Sequence, residues 1–126
     1  MNEIIKTKVL EGDNLISLLS TAFYGSEWFY ATRSDKYENL IRPQSECREE
    51  KWADILKGGG SIVVVDVEDE ESEHEINLND IVRALAKISV EYPKVYGRVM
   101  CFDGSADFYD CDCVIQFAVY GDWIYG

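Results

Sequence analysis
The chain has no run approaching the roughly 20 consecutive apolar residues that a membrane-spanning helix needs, and Met1-Asn2-Glu3 opens no charged-then-apolar signal segment. Both absences predict a cytoplasmic protein that does not partition into lipid. Bases are scarce: 12 Lys and Arg stand against 24 Asp and Glu, for a formal charge of −12 and a pI near 4.4. A surface of that sign repels phosphate backbones and anionic headgroups, so neither direct nucleic-acid binding nor membrane binding is expected. The single histidine, His74, cannot complete a Cys-His-Asp constellation unless a cysteine is exposed with a lowered pKa. Gly58-Gly59-Gly60 is followed by neither Lys-Ser nor Lys-Thr, no calcium-loop spacing occurs, and paired C-x2-C knuckles are missing. With no catalytic signature left, the expectation is a protein that is not an enzyme.

What is present suits one folded unit. A chain of 126 residues that is 47% apolar can bury a single core, and its sixteen aromatics supply much of the area without disulfides or metal. No repeat or linker divides it, so residues 1–126 are expected to form one acidic α+β domain: a small, mainly antiparallel sheet packed with about four helices. Asp13 can cap a first helix carrying Leu15, Leu18, Leu19, Ala22 and Phe23, with Gly25 as its stop. Trp28 to Thr32 reads as a strand. Ser45 can cap a helix over 46–57 that ends at the three glycines.

Residues 61–68 are the clearest strand, expected to put Val63, Val65 and Val67 on one face and Asp66 and Glu68 on the other. After a turn at Asp69-Glu70-Glu71-Ser72, the return strand alternates His74, Ile76 and Leu78 with Glu73, Glu75 and Asn77. Asn77 and Asp80 form a capping box for a helix over 78–92 that Pro93 closes. An irregular stretch through Gly97 and Gly104 then leads to Asp107, which caps a final helix, apolar nearly all round and therefore central. The tail from Asp122 to Tyr125 is expected to be a closing edge strand.

The strongest motif is the acidic cluster Asp66, Glu68, Asp69, Glu70, Glu71, Glu73 and Glu75, seven acids in ten residues. Alternate residues on a strand lie about 6.7 Å apart, comparable to phosphates along a nucleic-acid strand, so this ribbon can imitate a backbone before a basic channel. The plainer alternative is a solvated turn that keeps the hairpin edge from aggregating. The imbalance is also local: residues 59–126 carry 14 acids and 4 bases, residues 1–58 carry 10 and 8. Among the other acids, Asp107 and Asp110 are explained by dipole and capping terms near a helix start, while Asp112 and Asp122 are left open.

Cys101, Cys111 and Cys113 with His74 form a candidate zinc set, with Cys47 as a substitute ligand. On a helix, residues 111 and 113 point about 200° apart, so both ligate only if the helix starts later. Buried thiols are the simpler reading.

The run Asp112-Cys113-Val114-Ile115-Gln116-Phe117-Ala118-Val119-Tyr120-Gly121-Asp122-Trp123-Ile124-Tyr125-Gly126 resembles the ending of small proteins encoded by bacteriophages and integrated mobile elements. Gly59-Gly60-Ser61-Ile62-Val63-Val64-Val65-Asp66, leading to Ile76-Asn77-Leu78, is similar to their middle. The resemblance spans about half the chain. It implies a phage-versus-host setting in which small acidic proteins act as stoichiometric inhibitors of defence systems, anti-CRISPR proteins among them. The expected partner is then a basic protein surface on a CRISPR effector nuclease. Two alternatives stay open: a sponge that sequesters a nucleotide messenger through Arg33, Arg42, Arg83 or Arg98, and a zinc-stabilised interaction module.

Overall fold
The computed structural model describes residues 2–24 and 26–125. Six α-helices, one 3-10 helix and three strands are formed among them. In chain order these are α1 (Asn2–Leu10), α2 (Asn14–Phe23), β1 (Phe29–Thr32), the 3-10 helix (Asp35–Leu40), α3 (Arg48–Lys57), β2 (Ser61–Asp66), β3 (Ser72–Asn77), α4 (Leu78–Glu91), α5 (Pro93–Cys101) and α6 (Phe108–Tyr120). The sheet is antiparallel in the order β1-β2-β3, so the α+β class and the antiparallel pairing match expectation.

The best-capped helices form where the sequence places them. At the start of α4, Asn77 Oδ1 accepts from the Asp80 amide and Asp80 Oδ2 from the Asn77 amide, both at 2.9 Å. Asp107 and Asp110 close the same reciprocal box at α6. Gly121, at φ 73°, takes the left-handed position that ends α6, and Gly59, at φ 92°, does the same beyond α3. From Asp110 to Phe117 α6 is buried, lying against α2 and α4 in the middle of the molecule.

Several expectations are corrected. The helix count rises because α1 and α5 also form. α1 buries only Ile5 and Val9, too few apolar positions to announce a helix. Pro93 does more than close α4: it is the first residue of α5, where its missing N–H would have no partner in any case. Ser45 does not cap α3; its hydroxyl is taken by the buried carboxylate of Asp54, and Cys47 occupies the cap with the Glu50 side chain folded back to its amide. Asp13 sits at the start of α2 but makes no side-chain capping bond. The stop assigned to Gly25 lies outside the described residues.

The phase of β2 is inverted relative to expectation. Ile62, Val64 and Asp66 face the core at 0% exposure, whereas Val67 is exposed. Four consecutive apolar residues, Ile62 to Val65, satisfy either phase, and the pairing of Ile62 with Ile76 decides between them. His74 pairs with Val64 and so shares the inward face with Ile76, as expected. The tail is not an edge strand. The amides of Ile124 and Tyr125 both donate to Gln116 Oε1, at 2.9 and 2.7 Å, and Gln116 Nε2 donates to the Tyr125 carbonyl at 3.0 Å. One buried side-chain amide of α6 thus does for the tail what a neighbouring strand would have done.

Candidate functional site
The β2–β3 hairpin projects six acids into solvent. Glu68, Asp69, Glu70, Glu71, Glu73 and Glu75 are all exposed, and among the described residues no ion pair joins any of them to a lysine or arginine. The turn closes through the Ser72 amide donating to the Asp69 carbonyl at 2.9 Å. Its two central residues, Glu70 and Glu71, have φ of 51° and 57°. Positive φ at both positions is the pattern of a type I′ turn, which normally takes Asn-Gly because neither residue is penalised there. Holding a branched-free but full-length side chain in the left-handed region costs about 1 kcal/mol or more per residue. The tip therefore combines backbone strain with like-charge crowding, and both terms oppose stability.

Asp66 does not belong to this exposed set. With its inward phase, its carboxylate accepts the hydroxyls of Tyr120 and Tyr125 (the latter at 2.7 Å) and the Glu68 amide at 2.9 Å. Burial raises its pKa, but these hydroxyl and amide donors outweigh that and hold the carboxyl below its ordinary value. Desolvation, with the same contact added to it, pushes the Tyr120 hydroxyl up to about 12. Asp66 is thus the post on which the hairpin is fixed to α6 and the tail.

A second buried carboxylate continues the network. Asp112 accepts Trp28 Nε1 at 2.5 Å on one oxygen and Gln116 Nε2 at 2.9 Å on the other. Here burial dominates over both donors and the carboxyl is raised. The Trp28 ring lies 4.9 Å from that of Tyr125, and the Trp28 carbonyl accepts the Val67 amide at 2.8 Å. Trp28, Asp112, Gln116, Tyr120 and Tyr125 accordingly form one connected support beneath the hairpin. A signal for it exists in the sequence: Asp112 and Gln116 stand four residues apart on a helix that is otherwise apolar beyond Asp110, a polar pair with no outward face to occupy. The remaining acids have local roles. Asp110 is held low by the Arg98 guanidinium, which reaches it with two bonds of 2.7 and 2.8 Å, while Asp103 binds Ser105 and Asp122 the Trp123 amide.

The candidate zinc set is not assembled. Cys111 and Cys113 lie inside the core, where burial pushes both thiols up to about 12, whereas Cys101 is exposed at the end of α5. His74 is on β3, its Nε2 3.0 Å from the Ser72 hydroxyl and 3.3 Å from that of Tyr120. Among the described residues no group of three or more His, Cys, Asp or Glu side chains is placed to hold a metal ion. Nor do the four arginines named as a messenger site stand free: Arg33 pairs with Glu38, Arg42 with Asp54, Arg83 with Asp80 and Arg98 with Asp110. No helix among the described residues is long and apolar enough to cross a membrane.

The fold and site define an α+β protein with a rigidly based acidic hairpin. Comparison of the chain with family models, with curated proteins and with solved structures finds no match.

Proposed function
We propose that the protein is a non-enzymatic inhibitor that sets its acidic hairpin against the basic nucleic-acid channel of a nuclease, a CRISPR effector being the partner that the phage-like resemblance implies. One observation carries this reading: six exposed carboxylates without a basic partner among the described residues surround a turn whose backbone is itself strained. A turn serving only solubility has no need of Glu at two left-handed positions, and strain retained at an exposed tip is a feature of sites held for binding. The buried support under the hairpin favours the same role, because a rigid ribbon keeps its charges in register with a partner without losing conformational entropy on docking. Charge at the tip accelerates encounter, and a few buried anchors set the lifetime of the complex.

The test is cleavage and DNA loading by guide-loaded Cas nucleases in the presence of the wild-type protein and of the variant Glu68→Gln/Glu70→Gln/Glu71→Gln/Glu73→Gln. The variant is expected to associate about tenfold more slowly or worse at low salt, with the difference shrinking as salt rises. Equal inhibition by variant and wild type removes the mimicry mechanism, and absence of inhibition across the panel removes the nuclease as partner.

A further inference from the structure
A recess of about 320 Å³ opens beside the hairpin base, between the segment leading into β1, the first turns of α6 and the tail. Its walls are aromatic: Trp28, Phe108, Tyr109, Trp123 and Tyr125. Among the described residues the only charged ones lining it are two carboxylates, Glu27 at the mouth and Asp112 within. Asp112 is 7% exposed, and among the described residues each of its oxygens accepts a single hydrogen bond. An ionised carboxylate offers about four acceptor positions, so two remain unfilled.

We propose that this recess binds the guanidinium of an arginine side chain presented by the protein partner. The choice of ligand follows from the walls. Aromatic faces attract cations, and a planar, weakly hydrated guanidinium stacks on them while donating to a carboxylate, whereas a lysine ammonium is a strongly hydrated point charge. Among the described residues no lysine or arginine pairs with this interior acid, whereas Arg98 gives Asp110 and Arg42 gives Asp54 a compensating positive charge; burial accordingly raises the Asp112 carboxyl. The recess also adjoins the acidic ribbon, since Tyr125 forms part of its wall and donates its hydroxyl to Asp66. The assignment of the arginine to a protein rests on the reading of the partner as a basic surface. The hairpin would attract such a surface and the recess would then hold one of its side chains.

The probe is N-acetyl-arginine methylamide, titrated against the full chain while the indole N–H resonance of Trp28 is followed by NMR, with the citrulline counterpart as neutral isostere. The arginine probe is expected to shift that resonance saturably and the citrulline probe to leave it unchanged. Tyr109→Ala alters an exposed wall residue and leaves the core intact; it is expected to weaken the probe by about two- to fivefold, as does Glu27→Gln. Asp112→Asn is expected to abolish the shift. No saturable shift, an equal shift with citrulline, a lysine probe that binds as tightly, or undiminished binding by both Tyr109→Ala and Glu27→Gln overturns the site. The hairpin and the recess fail separately: probe binding alongside a glutamine-substituted hairpin that inhibits normally leaves the recess standing and removes the mimicry, and the converse result removes only the recess.

Discussion
Glu70 and Glu71 show how a single residue choice can be unfavourable for the fold and informative about its use. Both occupy left-handed backbone that Asn and Gly tolerate better, and both stand within a dense negative cluster. Glu70→Asn/Glu71→Gly is expected to raise unfolding free energy by about 1–2 kcal/mol, measured as a higher urea midpoint at unchanged slope. A lower midpoint would mean that the glutamates make contacts that outweigh their strain. The acids of the tip were legible from sequence as a cluster, with Asp66 the exception. Nothing in the local run Val65-Asp66-Val67 tells an inward aspartate from an outward one. The two tyrosines that receive it lie 54 and 59 residues away, and only the folded chain brings them near.

Elements were readable where caps and periodicity agreed. Asn77 with Asp80 and Asp107 with Asp110 each announced a helix that forms with its reciprocal bonds in place. Readability failed where a tertiary contact overrode the local signal: Asp54 drew Ser45 away from the cap of α3, and the Ile62–Ile76 pair set the phase of β2. The tail is the sharpest instance. Its alternating aromatics fit a strand, yet at Ile124 and Tyr125 its backbone partners are the two ends of one amide, Gln116. Gln116→Leu removes those partners and leaves Asp112 without one donor, so a loss of about 2–4 kcal/mol is expected. Hydrogen exchange at the Ile124 and Tyr125 amides would accelerate in the variant; unaltered exchange would show that the tail is held by its rings alone.

For the whole molecule, the balance of acids governs both stability and reach. Asp54, Asp66 and Asp110 each have a lowered folded-state pKa: burial works against the first two but is outweighed by their donors, and the third is held chiefly by Arg98. Such groups contribute stability that is complete above the ordinary aspartate value near 4 and is lost as pH falls through their folded values. Asp112 acts in the opposite sense, since its raised carboxyl withdraws stability as pH climbs from about 4 through its folded value. With Glu49, Glu50 and Asp103 also lowered, six carboxylates against one predict acid unfolding. Asp66→Asn is expected to be less stable than wild type by about 1–3 kcal/mol at pH 7, with the gap closing toward about pH 2 in urea melts at each pH. A gap that persists in acid would show that the ionised form of Asp66 is not what the tyrosines hold.

The four cysteine sulfurs divide evenly between core and surface. Cys111 and Cys113 are sealed in α6 with thiols that stay protonated at neutral pH, whereas Cys47, at the head of α3, and Cys101, the last residue of α5, meet solvent. The native chain therefore comes with two ready attachment points for a dye or spin label, and each lies on an element separate from the hairpin whose docking the label would report.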